Sequence, residues 1–199
     1  RIVGGERGGG GRRALHDHID EGGLDEFSVV FTDRSLNHMS KRFQQVMRDI
    51  STGLREVYGA AAVAVVPGGG TFAMEAGLAG DTTVVMARQS GNHARAPYAP
   101  PPVAEVTARI REVRPQAVFA PHVETSAGII LPDGYLADIA AAAHEVGALM
   151  VLDCIASGCV WVDMAATGVD VLISAPQKGW SASPSAGLVM LSARAEARL

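Results

Sequence analysis

Two side chains capable of covalent and acid–base chemistry directly follow short apolar runs in this sequence. Lys178 lies in the stretch Ser-Ala-Pro-Gln-Lys-Gly-Trp that follows the apolar run 169–173, and Asp153 follows the run 148–152. A lysine amine can bond covalently to an aldehyde, and a carboxylate can hold a protonated ring nitrogen. If both runs are strands of one α/β sheet, both side chains lie at strand ends, where such sheets bind ligands.

Each of these residues also has a simpler structural explanation. Most lysines are solvated surface charges, but Lys178 lies between an apolar run and a Gly-Trp-Ser-Ala-Ser-Pro turn. We therefore expect it to be enclosed, and enclosure would lower the pKa of its amine. Asp153 could be the N-cap of the segment that follows it, or a carboxylate on a buried strand that requires a cation such as a protonated pyridine nitrogen.

A glycine cluster follows an earlier apolar run, 61–66. Its sequence is Pro-Gly-Gly-Gly-Thr, with Gly69, Gly70 and Thr71 leading into a helical pattern. Glycines let the backbone approach a phosphate closely, and the start of a helix favours its negative charge. Such a cluster is more often only a turn, and the Gly-Lys-Ser/Thr ending of a nucleotide-binding loop is absent.

A fourth polar feature follows the apolar run 117–120. There, the hydroxyls of Thr125 and Ser126 could donate hydrogen bonds to a ligand, or could satisfy their own backbone. All four features lie at the same predicted edge of one sheet. An amine for an aldehyde, a carboxylate for a ring nitrogen and glycines for a phosphate together indicate a pyridoxal phosphate site.

The elements that must position these residues follow from the hydrophobic pattern. Apolar residues recur at three- and four-residue steps over 38–58, which predicts a helix that Gly59 ends. Short apolar runs then alternate with amphipathic helices, which is typical of a three-layer α/β fold with a mostly parallel sheet flanked by helices. The predicted strands are 61–66, 83–87, 117–120, 148–152, 169–173 and an antiparallel last strand, 187–191; the predicted helices after residue 100 are 103–113 and 135–146, the second with Asp133 as its N-cap.

Composition narrows the class of protein. The 199 residues are 48% hydrophobic, which predicts one large hydrophobic core. The net charge is −4, so the composition does not indicate nucleic-acid binding. We expect no membrane span and no signal peptide, and thus a cytoplasmic protein. Two cysteines are too few for a disulfide framework or a four-ligand zinc site, and we expect no metal. Residues 1–26, rich in glycine and arginine, are predicted to be flexible, with residues 27–199 forming the ligand-binding domain.

From about residue 27 onward the sequence resembles the class V aminotransferases of pyridoxal phosphate fold type I, in particular the alanine-glyoxylate and serine-pyruvate branch. The resemblance is carried by four segments: Pro-Gly-Gly-Gly-Thr-Phe-Ala-Met-Glu-Ala, His-Val-Glu-Thr-Ser-Ala-Gly, Val-Leu-Asp-Cys-Ile-Ala-Ser and Ser-Ala-Pro-Gln-Lys-Gly. It implies the large domain of that fold and pyridoxal 5'-phosphate as cofactor. The implied cofactor-binding residues are Gly69, Gly70, Thr71, Ser126, Asp153, Ile155, Gln177 and Lys178.

The resemblance also implies a role for each of these residues. Lys178 is the Schiff-base lysine and Asp153 the partner of the pyridinium nitrogen, so both are catalytic. The glycine cluster, with Gln177 beside it, holds the phosphate, Ser126 lies near the ring hydroxyl, and Ile155 packs on one ring face. The implied reaction transfers an amino group from a small amino acid, alanine or serine, to a keto acid such as glyoxylate or pyruvate, in an enzyme that is a homodimer when complete.

The chain also departs from the family pattern. The segment before Glu124 is shorter, with only His93 and Tyr98 as ring-stacking candidates, and the chain stops before the small C-terminal domain, so it resembles an incomplete large domain. Two alternatives stay open: a non-catalytic binding or assembly partner with this fold, and a lyase or phosphonate aminotransferase. Gln177, where cysteine desulfurases carry histidine, and the position of Cys154 disfavour desulfuration.

Overall fold

Residues 41–67, 82–93 and 95–198 are described by a computed structural model of the chain. The chain divides into two compact units, Arg1–Arg48 and Asp49–Leu199. The glycine- and arginine-rich segment 1–26, its predicted boundary at residue 27 and the glycine cluster 69–71 lie outside the described residues.

The first described helix, α1, is Lys41–Tyr58. It is strongly amphipathic, and near its C-terminal end Leu54 and Tyr58 are buried. It ends at Gly59, which has a φ of 62° and so adopts the left-handed conformation that glycine accepts without strain. The predicted helix and its end are therefore confirmed over the residues that the structure describes.

A five-stranded sheet forms the centre of the second unit. Its strands along the chain are β1 (Ala62–Pro67), β4 (Ala117–Pro121), β7 (Leu149–Asp153), β8 (Val171–Ser174) and β9 (Ala186–Leu191). Their order in the sheet is β1-β9-β8-β7-β4. Strands β4, β7 and β8 are parallel, while β9 runs antiparallel to both β8 and β1. The mostly parallel sheet and its antiparallel last strand are as predicted. The other four described strands form two small hairpins, described below.

Two helices lie beside β7 close to the predicted bounds, 103–113 and 135–146. Helix α2 (Val103–Val113) packs on α3 (Asp133–Glu145), and α3 packs on β7. The buried side chains of α3 meet those of the central strands in one hydrophobic core, as expected for an α/β sheet with crossover helices. Two short helices, α4 (Met164–Thr167) and α5 (Ala193–Glu196), precede β8 and follow β9.

The predicted strand 83–87 is wrong. This run is irregular, with Val84 72% and Met86 71% exposed. Only the following residues pair, where β2 (Arg88–Gln89) forms a small antiparallel hairpin with β3 (Tyr98–Ala99). An apolar run becomes a strand only where another strand offers its backbone groups, and no strand of the described sheet pairs with this run.

The predicted N-cap of α3 is also wrong by one position. Asp133 is the first residue of the helix and Pro132 occupies the cap position, where no side chain caps the helix. Asp133 still lies in the first turn, where a negative charge is favourable to the helix dipole.

A buried carboxylate joins three elements at the edge of the sheet where β7 and β8 begin. Asp170, which is 2% exposed, precedes β8. The structure gives its carboxylate four donors: the N–H of Met150 (2.9 Å), the hydroxyl of Ser192 (3.0 Å), Nη1 of Arg194 (2.9 Å) and Nε2 of His144 (2.8 Å). Because the charge is paired and hydrogen-bonded, this cluster fixes the starts of the strands whose other ends carry the predicted site.

Candidate active site

Asp153 is the last residue of β7, and in register it lies opposite Pro121 of β4 and Ile173 of β8. Its side chain is half-buried. It therefore lies at the carboxyl edge of the three parallel strands, the edge at which open α/β sheets bind their ligands.

Lys178 lies in the turn that follows β8 on the same edge. The turn is closed by bonds from the N–H of Lys178 to the carbonyl of Ala175 (3.3 Å) and from the N–H of Ala182 to that of Pro176 (2.9 Å). The side chain of Lys178 is exposed. The predicted enclosure of the amine is therefore wrong, since no side chain that the structure describes covers it.

The turn carrying Lys178 lies against the loop that follows β7. A Cβ built on Gly179 would lie 1.9 Å from the carbonyl oxygen of Gly158, so only glycine fits where the two backbones meet. Next to it, Trp180 packs on Trp161 of the loop after β7, with ring centroids 4.8 Å apart, and on Tyr58 of α1, with centroids 6.1 Å apart. These contacts fix the loop bearing Lys178 beside the loop that follows Asp153.

The Asp153 carboxylate is held by its own turn. Its Oδ1 accepts a hydrogen bond from the N–H of Ile155 (2.8 Å). No helix begins here, since the next one starts at Met164, so the N-cap alternative is wrong. Among the residues that the structure describes, no donor is recorded for Oδ2, which leaves one carboxylate oxygen for a ligand.

Ser126 lies between β5 (Val123–Glu124) and β6 (Ile129–Ile130) and is exposed. The backbone of this turn is held by the carboxylate of Glu124, which accepts from the N–H of Ala127 (2.6 Å) and of Ser126 (3.2 Å). These bonds lower the pKa of Glu124. The exposed hydroxyl of Ser126 is thus carried on a turn whose backbone N–H groups already have hydrogen-bond acceptors.

Of the other predicted cofactor contacts, Ile155 is half-buried in the turn after Asp153 and Gln177 is exposed beside Lys178. Gly69, Gly70 and Thr71 lie outside the described residues, although β1, the strand that leads to them, ends at Pro67 on the same edge as β7 and β8. The structure thus brings residues 153, 155, 177 and 178 to one edge of the sheet, while Ser126 lies in the turn of the small hairpin that follows β4.

His122 and Ser157 are two further polar residues at this edge, which the sequence patterns did not identify as candidates. His122 follows β4 and is 1% exposed, and its Nδ1 lies 2.7 Å from the hydroxyl of Ser157. Burial lowers the pKa of His122, with Asp133 opposing the shift. Both residues follow apolar runs, which is the same signal that identified Asp153 and Lys178.

The residues at this edge fit pyridoxal phosphate by the chemistry of their donor set. The described part of the chain offers an exposed primary amine, a carboxylate with one oxygen uncommitted and a serine hydroxyl. These match the aldehyde, the protonated ring nitrogen and the ring hydroxyl of that cofactor.

Other kinds of site find less support in the described residues. No group of three or more His, Cys, Asp or Glu side chains among them could hold a metal ion. A cleft of about 590 Å³ lies elsewhere, between residues 84–88 and the Glu105, Arg109 and Glu112 face of α2, and neither Asp153 nor Lys178 lines it. Within the described ranges no helix has the length and apolar character needed to cross a bilayer.

The sequence is similar to curated aminotransferases, although no protein-family model matches it. The alanine–glyoxylate aminotransferase of Rattus norvegicus is 27% identical over 198 residues, covering 83% of this chain and 45% of the relative. A 2-aminoethylphosphonate–pyruvate transaminase of Burkholderia lata is 36% identical over 91 residues, covering 45% of this chain and 24% of the relative. The chain therefore spans less than half the length of the curated relatives it matches.

Solved structures give the same result. The alanine–glyoxylate aminotransferase of Nostoc sp. superposes with a TM-score of 0.65 at 27% identity, over 82% of this chain and 49% of that one. The ureidoglycine–glyoxylate aminotransferase of Bacillus subtilis superposes with a TM-score of 0.66 at 20% identity, over 81% of this chain and 47% of that one, which supports the fold. In sequence and in fold the chain is therefore similar to alanine–glyoxylate aminotransferases and related class V aminotransferases, which are pyridoxal phosphate-dependent enzymes.

Proposed function

We propose that this chain is the cofactor-binding part of an aminotransferase that moves an amino group from a small amino acid, alanine or serine, to a keto acid such as glyoxylate or pyruvate. The observation that carries the proposal is that Asp153 ends β7 and Lys178 lies in the turn after β8, the neighbouring parallel strand, at the same edge of the sheet. The similarity to alanine–glyoxylate aminotransferases supports the choice of substrates.

When bound, pyridoxal phosphate supplies an aldehyde that takes up the amino group and a ring that accepts an electron pair. In the proposal, Nζ of Lys178 holds the cofactor and then takes the proton from the substrate Cα. The Asp153 carboxylate keeps the ring nitrogen protonated. Ser126 donates to the ring hydroxyl, and Ile155 packs on a ring face.

The remaining cofactor contacts belong to the same proposal. We assign the phosphate to Gly69, Gly70, Thr71 and Gln177, because the sequence predicts that the glycines precede a helix, where backbone N–H groups favour an anion. We also propose that the complete enzyme works in the cytoplasm as a homodimer, and sedimentation of that enzyme would test its dimeric state.

Covalent labelling is the direct test, and the chain is well suited to it because its only lysines are Lys41 and Lys178. The chain is mixed with pyridoxal phosphate, reduced with borohydride, digested and mapped by mass spectrometry. We expect the label on Lys178, none on a Lys178→Ala chain, and unchanged labelling of a Lys41→Arg chain. Label on Lys41 alone, or none on a chain that is folded by circular dichroism, would reject the proposal in favour of a non-catalytic partner.

A second candidate is a phosphonate aminotransferase, favoured by the 36% identity to the Burkholderia lata transaminase over 91 residues. Amino-group transfer from alanine to glyoxylate, from serine to pyruvate and from 2-aminoethylphosphonate to pyruvate would be compared under one set of conditions. Preference for the phosphonate would replace the first choice of substrates without changing the roles proposed for Lys178 and Asp153.

A further inference from the structure

A buried hydrogen bond connects the ends of two strands beside the candidate site. His122 directly follows β4 and Ser157 lies in the turn after β7; they are 1% and 7% exposed. Nδ1 of His122 and the hydroxyl oxygen of Ser157 are 2.7 Å apart. A polar pair excluded from water in this way strongly favours the one geometry that satisfies both groups.

Both residues are tied to Asp153 through the backbone. The N–H of His122 donates to the carbonyl of Asp153 (2.8 Å), and the N–H of Ser157 donates to the carbonyl of Cys154 (3.2 Å). The N–H of Ile155, in the same turn, donates to Oδ1 of Asp153 (2.8 Å). Movement of Ser157 away from His122 would therefore move the turn that orients the Asp153 carboxylate.

The bond does not depend on a charge on the imidazole. Burial lowers the pKa of His122, while the negative charge of Asp133 raises it by a smaller amount. A neutral ring has one nitrogen that donates and one that accepts, so Nδ1 can pair with the Ser157 hydroxyl in either tautomer. The connection between the two loops is thus present at neutral pH.

We propose that His122 and Ser157 are positioning residues for Asp153, fixing the turn 153–157 so that one carboxylate oxygen stays on the Ile155 N–H and the other faces the ring nitrogen of the cofactor. This inference rests on the proposed function, because it assumes that Asp153 meets that nitrogen. If the pair only stabilised the fold, its removal would weaken the binding of every ligand by the same factor.

The test uses two ligands that differ only at the ring nitrogen. Dissociation constants are measured by equilibrium dialysis for pyridoxal phosphate and for its carbocyclic analogue, in which a C–H group replaces that nitrogen. The ratio of the two constants isolates the contact with Asp153. Because both ligands bind the same folded population, partial unfolding of a variant changes both constants together and leaves their ratio unchanged.

We expect Ser157→Ala to reduce the preference for pyridoxal phosphate over the analogue by about tenfold, a usual loss when the group that orients a ligating side chain is removed. Ser157→Thr, which keeps the hydroxyl, and His122→Asn, which places an amide near the position of Nδ1, should retain the preference. Thr167→Ala is the matched control, because Thr167 is also buried and its hydroxyl donates a 2.7 Å bond, but to the backbone of Asp163.

An unchanged ratio in Ser157→Ala, with the wild-type chain preferring pyridoxal phosphate, would overturn this inference and leave the proposed function intact. The same ratio change in Thr167→Ala would also overturn it. Equal affinity of the wild-type chain for the two ligands would reject the Asp153 contact itself, and with it both this inference and the role of Asp153 in the proposed function. If Ser157→Ala fails to fold, His122→Phe, which removes the same bond from the other side, takes its place: a reduced preference would support the inference, and an unchanged ratio would overturn it.

Discussion

Cys154 donates its backbone N–H to the carbonyl oxygen of Ile173 at 2.8 Å, which continues the parallel ladder between β7 and β8 past Asp153. The two strands are therefore still in register where their polar ends begin. Lys178 follows in the turn directly beyond β8. The amine and the carboxylate are thus positioned by adjoining strands rather than by long loops, which favours a reproducible geometry at the candidate site.

Replacement of Asp153 by asparagine should weaken pyridoxal phosphate binding by about tenfold to a hundredfold, since a charged hydrogen bond contributes about 1.5–3 kcal/mol. The amide oxygen can still accept from the N–H of Ile155, so the turn itself should persist. Spectrophotometric titration with the cofactor measures the change.

The matched control is Asp163→Asn, because the Asp163 carboxylate also accepts backbone N–H groups, those of Ala165 and Ala166, but at the start of α4. It should lower stability slightly and leave cofactor affinity unchanged. Equal affinity in the Asp153→Asn and wild-type chains would contradict the proposed role of Asp153.

Replacement of Gly179 by alanine should separate the loops after β7 and β8, because the added Cβ would lie 1.9 Å from the carbonyl oxygen of Gly158. We expect a loss of about 2–3 kcal/mol in the free energy of unfolding. Labelling of Lys178 should fall as well, since the displaced turn carries that residue.

Gly134→Ala in α3 provides the comparison, because nothing lies within 4 Å of a Cβ there. Alanine at that helical position should be neutral or stabilising by up to about 1 kcal/mol. Urea unfolding measures both variants, and a Gly179→Ala chain as stable as the wild type would show that the two loops are not held in contact.

The Asp170 cluster at the opposite edge predicts a stability effect. Arg194→Met removes the guanidinium that donates to Asp170 at 2.9 Å and to the carbonyl of Ala148 at 2.7 Å. The Asp170 carboxylate, which is 2% exposed, then lacks the positive charge that Arg194 supplied. We therefore expect a loss of about 3 kcal/mol in the free energy of unfolding.

The contrasting variant is Arg111→Met, which breaks an ion pair with Glu145 whose side chains are 49% and 53% exposed. Solvent and salt screen such a pair, so urea unfolding should detect no change. Similar losses in the two variants would argue against a special contribution from the buried cluster.

Much of the architecture could be predicted because its signals are local. Apolar runs separated by amphipathic helices predict parallel strands, and polar residues directly after those runs lie at their ends in the structure, as Asp153 does. The helix over 41–58 and its end at Gly59 follow from periodicity and from the conformational freedom of glycine.

Features that depend on distant partners could not be predicted. The run 83–87 has the composition of a strand, but whether it becomes one depends on a neighbouring strand far away in the sequence. The exposure of Lys178 depends on what covers the turn after β8. The bond between His122 and Ser157 joins residues with no common periodicity, so only the fold shows that they meet.

The two cysteines should differ sharply in reactivity. Cys154 is buried, and burial raises the pKa of its thiol to about 12, with the nearby Asp153 charge adding to the rise and a hydrogen bond with Ser157 opposing it. A raised pKa keeps the thiol protonated, so at pH 8 only about one Cys154 in ten thousand is the reactive thiolate. Cys159 is exposed. A thiol reagent at pH 8 should therefore modify Cys159 rapidly in the folded chain and Cys154 only after denaturation.

Variants in which one cysteine is replaced by serine show which of the two thiols reacts. The Cys154→Ser chain should react as fast as the wild type, and the Cys159→Ser chain should react only in denaturant. Sulfur chemistry at this site would need an accessible nucleophilic thiol. Cys154 does not meet this requirement, because it is buried and the nearby charge of Asp153 disfavours its thiolate. Rapid modification of Cys154 in a folded Cys159→Ser chain would contradict this account and would reopen a desulfurase-like reaction for the chain.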